Sequence, residues 1–172
     1  MEGNLAAAAP VAEEALAEAH ATGGSLYLLL ALPQLVFITC LQGDPAKARG
    51  YCFQLAALGR ERGDQTAVMF AVIAFGLVAS ISGQPQRAVH LLAAFEAFHR
   101  ERGVNLNLYG GVLLLAFNRF LEIAQAQLDP AIFAAAWTEG QHMTLQQAFA
   151  LATESDSEAA QLPEAGRGPG SA

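Results

Sequence analysis

Two stretches of this chain, residues 21–43 and 65–86, carry no charged side chain. They alternate with segments in which polar positions recur. This pattern predicts antiparallel helices near 5–22, 25–42, 45–62, 65–82 and 85–102, with a more polar and a more apolar helix in each pair. The breaks between them carry helix signals. Asp44 suits an N-cap, and Pro45 suits the first helical position, where its missing N–H costs nothing. Arg60 and Arg62 match the negative end of the helix dipole, and Gly63 suits the left-handed residue after the helix. Asp64 can cap the next helix, Gly83 can end it, and Pro85 opens the one after. Pro10 and Pro33 fall inside predicted helices, and a kink at Pro33 is expected.

The segment from Gly43 to Gly63 recurs forty residues later, from Gly83 to Gly103. Identical pairs are Gly43/Gly83, Pro45/Pro85, Ala48/Ala88 and Ala57/Ala97. The run Arg60-Glu-Arg-Gly63 returns whole as Arg100-Glu-Arg-Gly103. Upstream, Gly3, Ala8 and Gly23 keep three of the same phases. A fixed period of this size marks stacked helix pairs, so Ala48 and Ala88 are expected at close helix crossings. Each uncharged stretch is also long enough to span a bilayer. Their shared phase in the repeat argues instead for buried helices of a stack.

Beyond the repeats, a longer helix is expected from about Leu106 to Leu128. Its wet stripe is Asn118, Glu122, Gln125 and Asp129. Its dry stripe is Leu113, Phe117, Phe120, Leu121, Ala124 and Leu128. Asp129-Pro130 restarts a short helix, Ala131 to Trp137, which Gly140 ends. Thr144 and Gln147 form a capping box that opens a last helix to about Thr153. From Glu154 on, Ser, Glu, Pro and Gly predict disorder. The expectation is an all-α, antiparallel helix-pair solenoid over 1–152, with two short closing helices and a disordered tail over 153–172.

The chain is 53% hydrophobic and 15% charged, with a net charge of −7. No basic patch is large enough to follow a phosphate backbone, which argues against direct nucleic-acid binding. Cys40 and Cys52 fit reduced, buried thiols in a cytoplasmic protein. The N-terminus lacks the basic segment of a signal peptide.

Three features occur together: the Gly-Asp-Pro-x-x-Ala helix starts, the fragment Phe133-Ala-Ala-Ala-Trp137-Thr-Glu-Gly140, and Thr144-Leu-Gln-Gln-Ala148. This combination resembles the C-terminal tetratricopeptide-like repeats of large bacterial regulators. These are signal-transduction ATPases with LuxR-type output, MalT-like activators, SARP regulators and repeat-bearing nucleotide cyclases. Phe133, Trp137 and Gly140 match the family's closing stretch, and Thr144, Leu145 and Ala148 match the helix start after it. The resemblance implies an interaction or sensing module in a transcription-control system. It implies no ATPase here, since no Gly-x-x-x-x-Gly-Lys-Ser/Thr loop occurs, and no helix-turn-helix follows Ala148. Two departures mark the chain: the family's proline-rich link is replaced by Val104-Asn-Leu-Asn-Leu108, and the helix after it has lost its usual charges.

No catalytic constellation emerges. His20, His90, His99 and His142 include no pair at helical metal-ligand spacing, and neither cysteine has a nearby histidine partner. No cofactor is expected. Arg60, Arg62, Arg100 and Arg102 are read as helix-end charges in preference to a basic ridge. Trp137 is read as an anchor for the closing helix in preference to a ligand platform. The helix over 65–82 has no polar stripe, so something must cover it on all sides. Preceding repeats, a second copy or a partner peptide would do so, with Tyr27, Phe37, Phe70, Phe75 and Tyr109 near the groove. The leading expectation is a non-enzymatic protein-binding module whose partner is a protein or peptide, a second copy, or upstream repeats and their ATPase. A small-molecule inducer sensor comes second, and a multi-span membrane protein third.

Overall fold

The computed structural model describes residues 2–103 and 111–159. Every element among them is helical: α1 (Glu2–Thr22), α2 (Ser25–Leu41), α3 (Pro45–Arg62), α4 (Gln65–Ile81), α5 (Pro85–Glu101), α6 (Gly111–Gln125), α7 (Pro130–Gln141) and α8 (Leu145–Ala159). Consecutive helices from α1 to α5 pack against one another, and α2, α4 and α6 form a second line of contact. This is the expected stack of antiparallel helix pairs.

The turns are set by one glycine every twenty residues. Gly23, Gly43, Gly63, Gly83 and Gly103 all lie in the left-handed region, with φ between 64° and 73°. A Cβ at any of them would meet nothing within 4 Å. The need for glycine is therefore conformational, not a matter of space. Three of these turns share one backbone bond, in which the residue after the glycine donates to a carbonyl five residues back. The bonds are Gly24 to Ala19 at 3.2 Å, Asp44 to Thr39 at 3.0 Å and Gln84 to Ala79 at 3.2 Å. That bond satisfies a carbonyl left open at the helix end. Asp44 and Asp64 cap the helices that follow, accepting from Lys47 N at 2.9 Å and Thr66 N at 2.8 Å. Helices α1 and α2 both run on through Pro10 and Pro33.

The core centres on α4, which has thirteen consecutive or near-consecutive buried residues between Ala67 and Ser80. Helices α2, α3, α5, α6 and α8 all touch it. The chain thus covers its most apolar helix by itself. The dry stripe of α6 faces inward, with Phe117, Phe120 and Ala124 buried, while Asn118, Glu122 and Gln125 face outward. Edge-to-face contacts join Phe37 to Phe120 and Phe53 to Phe75, at 6.1 and 5.4 Å between centroids. Ala48 and Ala88 are fully buried. Ala88→Phe is expected to overpack this seam and cost about 1–3 kcal/mol in a denaturant melt. An unchanged midpoint would remove Ala88 from the packing.

Two boundaries differ from the expected ones. Gly140 does not end α7, which continues to Gln141. Gly140 lies where α7 presses on α5: a Cβ there would sit 2.5 Å from the His90 carbonyl oxygen and 2.8 Å from Ala93 Cβ. Helix α8 runs past its expected end near Thr153, to Ala159. Ala148 and Ala152 are buried and hold α8 against the core. The link over 104–108, Tyr109 and residues 160–172 lie outside the described residues.

Candidate functional site

The capping box at α8 is present in full. Thr144 N donates to Gln147 Oε1 at 2.8 Å, and Gln147 N donates back to Thr144 Oγ1 at 3.2 Å. Trp137 is half-buried and stacks on Phe133, with ring centroids 6.0 Å apart and planes 20° apart. It packs against both apolar clusters of the core. Gln141, with its amide oxygen facing its donors, accepts from Trp137 Nε1 at 3.0 Å and from Arg100 at 3.2 Å. This arrangement anchors α7 on α5.

The aromatic residues expected to line a groove separate into two groups. Phe37, Phe70 and Phe75 are buried in the core, because α6 and α8 fold back over α4 and close the face they were expected to line. Tyr27 is exposed, and it lies on an open apolar face shared by α1 and α2. The face holds a groove of about 740 Å³, bounded by Val11, Ala15, Tyr27, Leu30 and Gln34 among others.

The repeat shows why this face is open. Val11, Tyr51 and Leu91 share one phase of the forty-residue period. They are 67%, 9% and 0% exposed. Leu30 and Phe70 share another phase and are 56% and 8% exposed. In the later copies, the preceding pair supplies the cover. Tyr51, for example, lies against α1 and donates its hydroxyl to Glu13 at 3.4 Å, and Lys47 bonds the same carboxylate at 2.6 Å. The Lys47 ammonium holds Glu13 below its ordinary pKa. Val11, Leu26, Tyr27 and Leu30 are large apolar side chains left to water at the position where a stacked helix pair would sit.

Among the described residues, the histidines and cysteines do not converge on one site. His20 pairs with Gln54, His90 with Glu139, His99 with the Phe95 carbonyl and His142 with the Thr138 carbonyl. Burial lowers the pKa of His99 and so favours its neutral ring. Burial also pushes the Cys40 thiol up to about 12, so it is not a thiolate at neutral pH. Cys40 and Cys52 are both buried, and neither is in a disulfide. Among the described residues, no group of three or more His, Cys, Asp and Glu side chains could hold a metal ion. No helix among them is long and apolar enough to cross a membrane.

Comparison with protein-family models, with curated proteins and with solved structures returns no match.

Proposed function

We propose that this chain is a non-enzymatic helical-repeat module that binds protein through the open face of α1 and α2. The observation that carries this reading is the exposure of Val11 and Leu30 at repeat phases that are buried in the later copies. A face of this kind binds by stacking, as one repeat binds the next. The occupant is a helix or helix pair with an apolar seam and basic flanks. The first 46 residues include Glu2, Glu13, Glu14, Glu18 and Asp44, but no Lys or Arg. Of these, Glu18 borders the groove itself, so two copies meeting face to face would bring like charges together there. A partner with Lys or Arg beside its apolar seam would meet opposite charge instead. The closing motif around Trp137 and the capping box at Thr144 support a place among bacterial transcription-regulatory ATPase systems, working in the cytoplasm.

The test is a titration with a labelled amphipathic helix peptide of leucine and lysine, followed by fluorescence anisotropy. Saturable binding is expected, weakened at least about tenfold by Tyr27→Ser with Leu30→Ser. Both side chains are exposed, so the melting temperature should stay within about 2 °C of the parent. Equal binding by the double variant would place the partner surface elsewhere.

A further inference from the structure

We propose that the cavity bounded by α3, α4, α5 and α8 is a binding site for a small organic anion, a carboxylate with an acyl or aryl body, held by Arg60 and Arg102. The cavity measures about 540 Å³, within the range of small-molecule sites. Arg60 comes from the end of α3 and Arg102 from the end of α5. They are opposite members of the repeated Arg-Glu-Arg-Gly run, brought to one place by the stack. Matching the dipoles of two helix ends explains a cation at each end. It does not explain why both guanidinium groups border one cavity that, among the described residues, no acidic side chain lines.

The surroundings of each arginine suit a ligand grip. The Arg102 guanidinium lies 3.9 Å from the Phe98 ring centroid, and that of Arg60 lies 5.2 Å from the Phe149 centroid. An aromatic contact at these distances steadies the group while leaving N–H donors for a ligand. Arg102 donates to Gln65 Oε1 at 2.9 Å, and among the described residues neither arginine has a carboxylate within 4 Å. In a chain with 16 acidic and 9 basic residues, two such cations at one cavity are an unusual placement. A guanidinium fork matches a carboxylate better than a point charge would. Val68, Phe98 and Phe149 supply apolar lining for the rest of the ligand. Helix α8 forms one wall, so a bound anion would link α8 to α3 and α5.

The test uses 2-naphthoate on the whole chain, by isothermal titration, with neutral 2-naphthylmethanol beside it. Saturable one-site binding of the carboxylate is expected, with little or none of the alcohol. Arg60→Gln and Arg102→Gln should each weaken binding at least about tenfold. Salt near about 0.5 M should weaken it further. Melting curves are run on both variants, and they should overlay the parent because both side chains are exposed. Bound naphthoate should slow amide hydrogen exchange in α8. Three results would overturn the proposal: affinity unchanged in both variants, binding lost with Tyr27→Ser, or no saturable binding up to millimolar concentration. Unchanged affinity in both variants, or no saturable binding, would leave the reading of the α1–α2 face standing, since that face is tested with a peptide; loss of naphthoate binding with Tyr27→Ser would move the anion to that face.

Discussion

Gly140→Ala is expected to lower the unfolding free energy by about 2–3 kcal/mol, although alanine is the better helix former. In an open helix the change would stabilise by up to about 1 kcal/mol. Here the new methyl group would sit 2.5 Å from the His90 carbonyl oxygen and 2.9 Å from its Cα. Those are backbone atoms of α5, so no side chain can swing aside, and α7 must lift from α5. Overpacking of this kind costs about 1–3 kcal/mol and occasionally more, which outweighs the propensity gain. For a chain of 172 residues the melting temperature should fall by about 4–12 °C. A stabilised variant would show that α7 and α5 are not in such close contact.

Trp137→Ala is expected to cost about 2–4 kcal/mol. A fully buried tryptophan would fall at about 3–5 kcal/mol, and Trp137 is only half-buried. Its loss removes the stack on Phe133, the packing against both core clusters and the bond to Gln141. Trp137 is the only tryptophan, so its fluorescence reports this site alone. The folded chain should emit to the blue of the unfolded chain. An emission maximum that does not move on unfolding, with unchanged stability in the variant, would remove its anchoring role.

The sequence made the helical stack legible because its punctuation is strict. Each turn carries a glycine that takes positive φ, followed by Asp44-Pro45 before α3, Asp64 before α4 and Pro85 before α5. That is why the starts of α2 through α5 fall where the spacing puts them. Gly140 misled because a glycine that ends a helix and one that lets two helices touch look alike in sequence. The end of α8 was drawn short at Thr153 because the residues that follow are polar, and polar residues do not stop a helix held in place by Ala148 and Ala152.

The site was only partly legible. A helix apolar all round shows that it must be covered, but not by what. Phe37, Phe70 and Phe75 were assigned to a groove that α6 and α8 close. Tyr27 was grouped with them, but it is exposed beside the α1–α2 groove, where repeat phase tells which side of a pair meets its neighbour. Leu30 and Val11 carried the same signal through their counterparts Phe70 and Tyr51. The arginine-lined cavity depends on where α8 lands, and no local pattern gives that.

If the α1–α2 face is a stacking surface built like the interfaces inside the molecule, a repeat placed on it should pack there. This can be tested by placing a second copy of residues 43–82 in register ahead of α1, so that a known repeat of this chain meets that face. A single cooperative melt is expected, at a higher temperature than the parent. Loss of hydrophobic-dye binding and slowed amide exchange in α1 and α2 should accompany it. A separate melt for the added repeat, with dye binding and exchange in α1 and α2 unchanged, would contradict a stacking role for this face.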